Sequence, residues 1–164
     1  MLVSAIAFSI AFATILLAHI FERFGYAPCP LCLQERYAYY FAVPALVAAF
    51  FAARTESFTL ARILLALVAL GFLINAGVGV YHSGIEWQWW AGPQECSGTG
   101  ASVGPAGGLA KQLESFSVVR CDEAAWRFLG LSLAGYNALI SLALAAIAAY
   151  AAAKAWPTRL QSAR

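Results

Sequence analysis

Residues 63–81 read ILLALVALGFLINAGVGVY. The stretch carries no charge and approaches the ~20 residues with which an α-helix crosses a ~30 Å hydrocarbon core. Three similar apolar runs, 2–20, 37–53 and 128–153, share the chain with it. Of the whole sequence 62% is hydrophobic and only 11% charged, well away from the roughly half apolar and quarter charged make-up of soluble domains. The expectation is therefore a single integral membrane domain over 1–164 with four spanning helices. No basic block interleaved with aromatic residues points to nucleic acid. Met1 and Leu2 lead straight into the first run without the basic residues that open a secretory signal, so we read that run as a retained helix.

Four spans leave 21–36 and 82–127 on one side of the bilayer and both termini on the other. Arg54, Arg62, Lys154, Arg159 and Arg164 crowd into a short loop and a short tail. Arg23, Arg36, Lys111, Arg120 and Arg127 are spread over the two longer segments, together with every acid except Glu56. The denser positive charge marks the cytoplasmic side, which predicts cytoplasmic termini. All four cysteines, Cys29, Cys32, Cys96 and Cys121, then fall on the outer side, in a compartment where disulfides form and persist.

Within the spans, Gly71, Gly77 and Gly79 allow a neighbouring backbone to approach, and Asn75, Asn137 and Ser141 offer interhelical hydrogen bonds. Pro44 removes one backbone donor from the second helix, a loss that membrane helices tolerate. Trp87, Trp89 and Trp90 suit an interfacial anchor. Residues 91–108, rich in Gly, Ser and Pro, predict a mobile loop around Cys96. Beyond it, Leu109, Leu113, Phe116 and Val119 recur at helical spacing, as in a short amphipathic helix lying on the membrane surface.

The sharpest local signal is Cys29-Pro30-Leu31-Cys32, followed by Gln34-Glu35-Arg36. A C-x-x-C at a helix N-terminus sets two sulfurs within bonding reach, where unpaired backbone N–H groups favour the reactive thiolate. Arg36 lies one helical turn beyond Cys32 and is either a cation for that thiol or a snorkelling anchor. Half a zinc site is the competing reading of the motif, but Cys96 and Cys121 lie too far apart in sequence to form the usual second compact cluster. Cys96 and Cys121 can close a loop, as a stabilising bridge or as an exchangeable disulfide. A mobile segment at Cys96 and a second pair on the same face favour exchange. An electron relay needs an acceptor, and the sequence has neither a haem motif nor a dinucleotide fingerprint. A quinone dissolved in the lipid remains, with Arg36 to stabilise developing negative charge. His82, at the end of the third run, is either a donor to a quinone carbonyl or an ordinary interfacial histidine.

Taken together, the four spans, Cys29-Pro30-Leu31-Cys32 with Gln34-Glu35-Arg36, Gly79-Val80-Tyr81-His82, Cys96, and Cys121-Asp122 through Trp126-Arg127-Phe128-Leu129-Gly130-Leu131-Ser132 resemble the bacterial disulfide-bond formation protein B (DsbB) family. The resemblance implies an all-α four-transmembrane-helix bundle in the bacterial inner membrane, with two periplasmic loops, the second carrying the amphipathic helix. It implies that Cys96 and Cys121 form the disulfide attacked by a reduced periplasmic thioredoxin-like, DsbA-like oxidase. Electrons would pass to Cys29 and Cys32, and from Cys32 to ubiquinone or menaquinone, aided by Arg36 and His82. Re-oxidising a strongly oxidising partner through ordinary disulfides is uphill by about 1.4 kcal/mol per 30 mV, so the quinone must draw the electrons through. A quinone reductase of the vitamin K epoxide reductase type shares the architecture but carries its C-x-x-C at the end of the last helix. A membrane scaffold with inert disulfides is the non-enzymatic alternative, distinguished by resistance to mild reductant.

Overall fold

The computed structural model describes residues 2–93, 96 and 119–155. The predicted amphipathic helix and most of the loop around Cys96 lie outside the described residues. Four helices are long and apolar enough to cross a membrane: α1 (Leu2–Arg23), α2 (Pro30–Arg54), α3 (Phe58–Glu86) and α4 (Leu133–Lys154). A two-strand antiparallel ladder, β1 (Arg127–Phe128) with β2 (Leu131–Ser132), precedes α4. The α3–α4 pairing is the most extensive; α1 rests against α2 and, more lightly, α4.

The faces that meet are built from small side chains. Ala42, Ala45, Ala49 and Ala52 of α2 and Ala134, Ala138, Ala145 and Ala148 of α4 are buried at helical spacing, with Leu65, Val68 and Phe72 of α3 between them. Leu67, Leu70, Leu73 and Ile74 of α3 point outward and stay exposed. Small residues inside and large apolar ones outside suit a bundle dissolved in lipid, where close backbone approach replaces the hydrophobic effect as the packing force. Gly79 shows how close that approach is: a Cβ there would lie 3.0 Å from both the Cβ and the backbone N of Ala138. Backbone cannot yield cheaply, so Gly79→Ala is expected to destabilise the bundle by about 1–3 kcal/mol. Thermal unfolding in detergent checks this, and an unchanged midpoint would contradict the packing.

A polar layer ties three helices together at mid-bundle. Tyr39 Oη donates to Asn137 Oδ1 at 2.7 Å, and Asn75 Nδ2 donates to Ser141 Oγ at 2.9 Å. In lipid such groups must find partners within the protein.

Local chemistry sets where helices begin. α2 starts at Pro30, ahead of the apolar run at Tyr37, because Cys29 is extended and its sulfur accepts the Cys32 N–H at 3.2 Å, while Pro30 takes the first helical position, where no N–H is needed. At the other boundary the apolar run from Phe128 is not all helix. Leu129 and Gly130 both have positive φ, 50° and 84°, and turn the chain through the ladder. Helix α4 begins only at Leu133, capped by Ser132, whose Oγ accepts from the Gly135 N–H at 3.2 Å.

α1 has buried residues only at Ser4, Ala7, Ala11 and Ile15. Beyond Ile15 no α1 residue is buried, and this end of the helix flanks a cavity between α1, α2 and α4.

Candidate functional site

Capping places the first cysteine pair at the start of α2. Cys29 is 3% exposed, and its sulfur lies 2.6 Å from that of Cys32, both as free thiols. A hydrogen bond from the Cys32 thiol holds the Cys29 thiol below its ordinary pKa; burial opposes this, and the Cys32 backbone N–H assists.

Cys96 and Cys121 are joined in a disulfide. Both are buried, packed with Leu31 and Ile85 beside Cys29. The Cys121 N–H also donates to the Cys96 carbonyl at 3.3 Å, and Arg120 grips Asp122 with bonds of 2.9 and 2.6 Å, bracing the chain around Cys121. The sequence led us to expect an accessible Cys96, but its residue is only 2% exposed.

The two pairs converge. The sulfurs of Cys29 and Cys121 and a ring nitrogen of His82 all lie within 4.8 Å of one another. His82 is 2% exposed rather than wet, because α3 continues to Glu86 and carries the ring beneath the cysteines. Its Nε2 is 3.6 Å from Cys29 Sγ, and its Nδ1 is 2.9 Å from Glu35 Oε1. A carboxylate on Nδ1 fixes the proton there and leaves the Nε2 lone pair for the sulfur. Glu86, one turn beyond His82, has Oε1 4.0 Å from Nε2, and its Oε2 is buried without a hydrogen-bond partner among the described residues.

Glu35 and Glu86 were not singled out from the sequence, although a signal was present. Glu35 is three residues past Cys32 and Glu86 four past His82, spacings that set each carboxylate on the helix face of a residue already singled out.

Arg36 and Cys32 both line the cavity at the upper end of α1, α2 and α4, of about 240 Å³, with Phe21, Tyr26 and Asn137 among its other walls. The lining is mostly apolar. The Arg36 guanidinium is held by Glu22 of α1 at 2.7 Å, a partner the sequence reading did not identify. His82 is not among the cavity's lining residues; it stands on the far side of the cysteine pair, against Cys29. Asn137 presents the cavity's unused polarity. Its Oδ1 accepts from Tyr39 and Asn75, while its buried Nδ2, with the Glu35 carboxyl nearby, has no partner in full hydrogen-bond geometry among the described residues.

The arrangement orders the sulfurs in a line. Cys121 faces Cys29, Cys29 touches Cys32, and Cys32 borders the cavity. Such a line can carry electron pairs by successive thiol–disulfide exchanges, with His82 placed to take and return the proton of Cys29.

Comparison with known proteins places this geometry among relatives. The family model described as "Disulfide bond formation protein DsbB" matches residues 2–151. A protein of Rickettsia prowazekii (strain Madrid E), named only "Uncharacterized protein RP370", is 27% identical over 126 residues, covering 74% of this chain and 69% of the relative. No solved structure matches the chain significantly.

Proposed function

The chain belongs to the DsbB family, membrane oxidoreductases of disulfide-bond formation, and from that premise we propose that it re-oxidises a thioredoxin-like, DsbA-like dithiol oxidase and passes the electrons to a membrane quinone. The observation that carries this reading is the line of sulfurs from Cys121 through Cys29 to Cys32, ending on the wall of an apolar cavity.

The exchanges balance as follows. A partner thiolate attacks Cys96, forming a mixed disulfide and releasing Cys121 as a thiolate. Cys121 attacks Cys29 of an oxidised Cys29–Cys32 pair, breaking that bond and releasing Cys32. The partner's second thiolate resolves the mixed disulfide, leaving the partner oxidised and Cys96 free. Cys96 then attacks Cys121, restoring the Cys96–Cys121 bond and leaving Cys29 and Cys32 as the reduced pair. His82 exchanges the Cys29 proton, held in the required tautomer by Glu35.

The cavity residues fit a quinone. Apolar walls suit the ring, and the Asn137 amide and the Arg36 guanidinium, both in the lining, are donors for its oxygens. A bound quinone supplies a two-electron, two-proton acceptor next to Cys32; whether it is ubiquinone or menaquinone depends on the membrane. Arg54 and Lys154 close α2 and α4 at the end away from the cysteines, which supports cytoplasmic termini and a periplasmic site in a bacterial inner membrane.

Anaerobic mixing of the purified chain with a reduced thioredoxin-like oxidase and a quinone tests the reading; a fall in quinone absorbance matched to dithiol loss is expected, and no reduction refutes it. Arg36→Ala is expected to raise the apparent KM for quinone about tenfold or more, the loss of one charged hydrogen bond. Dithiol exchange measured without quinone should stay unchanged. An unaltered quinone titration would remove Arg36 from the site.

A further inference from the structure

The meeting point of the two cysteine pairs has the chemistry of a metal site as well as of a relay. Three buried side chains, Cys29, His82 and Cys121, each present one donor atom, all within 4.8 Å of one another. Tetrahedral zinc, with Zn–S of about 2.3 Å and Zn–N of about 2.0 Å, requires S···N edges of about 3.5 Å and S···S edges of about 3.8 Å. Cys29 Sγ and His82 Nε2 are already 3.6 Å apart. Glu35 on Nδ1 completes the carboxylate–histidine arrangement that orients a metal-binding imidazole with its Nε2 lone pair free. Glu86 supplies a buried carboxylate oxygen with no hydrogen-bond partner among the described residues, within reach of a fourth position by side-chain rotation.

While Cys96 and Cys121 are bonded, the Cys121 sulfur is no thiolate ligand. Its position, though, does not depend on the bond alone, since its N–H is held by the Cys96 carbonyl.

We propose that the fully reduced chain binds one Zn2+ through Cys29, His82 and Cys121, forming a redox-gated site that locks the relay open between its two pairs. Binding displaces the thiol protons of Cys29 and Cys121 to solvent and changes no oxidation state. Reduction of both pairs takes two equivalents of a dithiol donor; with a strongly oxidising partner that exchange is uphill, and zinc, which binds only the reduced state, draws it forward, while oxidation of either pair abolishes the site. The inference rests on the proposed relay only in requiring that both pairs be reducible. Zinc therefore arrests turnover when quinone is scarce, by trapping the reduced chain as it forms, and spares it when quinone is abundant.

The test uses the full chain in detergent, reduced anaerobically with a phosphine that is then removed, and titrated with Co2+ as a spectroscopic stand-in. One equivalent should give the thiolate-to-cobalt charge-transfer and intense visible bands of a tetrahedral site, reversed by Zn2+. The oxidised chain should give neither, and Cys121→Ser should bind at least tenfold more weakly. A second measurement needs no variant: in the reduced wild-type chain, Zn2+ should slow alkylation of Cys29 and Cys121 while Cys96 reacts at its metal-free rate. Protection confined to Cys29 and Cys32, protection of Cys96, or equal binding by the oxidised chain overturns the proposal. Quinone reduction is assayed without metal, so failure of the relay and failure of the zinc site give different results.

Discussion

Cys32→Ser is expected to reduce quinone only at background, a loss on the order of a million-fold, comparable with removal of a catalytic nucleophile elsewhere. The reason is positional. Cys32 borders the cavity, whereas Cys29 is turned towards Cys121 and His82, so no other sulfur in the line meets an acceptor there. The same variant should still exchange with the partner through Cys96 and Cys121, shown by both cysteines becoming open to alkylation when reduced partner is added in excess. Cys32→Ala adds a pH signature. The Cys32 thiol is the main group holding the Cys29 thiol below its ordinary value. In the reduced wild-type chain the alkylation rate of Cys29 should therefore reach half-maximum below the ordinary thiol pKa of about 8.5. Removal of the donor should move that midpoint up, so that reactivity is lost at a higher pH as the solution is acidified. Turnover within tenfold of wild type in Cys32→Ser would sink the assignment, and an unmoved midpoint would show that the Cys29 thiolate is stabilised by something else.

His82→Ala carries the second large effect. A general base within reach of its proton contributes typically about 10²–10⁴-fold, and His82 Nε2 is 3.6 Å from the Cys29 sulfur. Exchange between the two cysteine pairs, followed in a single turnover without quinone, should slow by that factor. Glu35→Gln should slow it less, because the ring remains but its tautomer and orientation are no longer fixed. The alternative role for His82, hydrogen bonding to a quinone carbonyl, gives the opposite pattern: a raised KM for quinone and an unchanged quinone-free exchange. Observation of that pattern would place the histidine on the other side of the cysteines from where its contacts lie.

Zinc capture by the reduced chain draws on the same convergence of residues. Two sulfurs and an imidazole held within 4.8 Å of one another, the arrangement proposed for proton and disulfide exchange, are also near the spacing that a zinc ion requires. Only the redox state separates the two uses, since a sulfur engaged in a disulfide cannot serve as a thiolate ligand.

The apolar runs were readable in advance because the bilayer imposes a local rule, about 20 apolar residues to a span, which any window of sequence either meets or fails. The motif Cys29-Pro30-Leu31-Cys32 was readable for a similar reason: capping, the first-turn proline and the nearness of the two sulfurs all act within one turn of helix. Boundaries were less secure where hydropathy and backbone conformation disagree. Phe128, Leu129 and Leu131 are apolar yet form a tight turn, since Leu129 and Gly130 adopt positive φ. What the sequence could not show was which faces meet. His82 lies 53 residues from Cys29 and 47 from Glu35, and Glu22 reaches Arg36 from another helix. Those contacts follow from the rotation and depth of each helix against its neighbours, set by many weak small-residue packings such as Gly79 on Ala138. Composition by itself therefore determined a four-span membrane protein with its thiols at one end. Tertiary structure alone decided that Cys29 would be the sulfur between the two pairs, that the histidine would lie against its thiol, and that a cavity would open beside Cys32, because helix rotation is fixed by distant contacts that no local rule encodes.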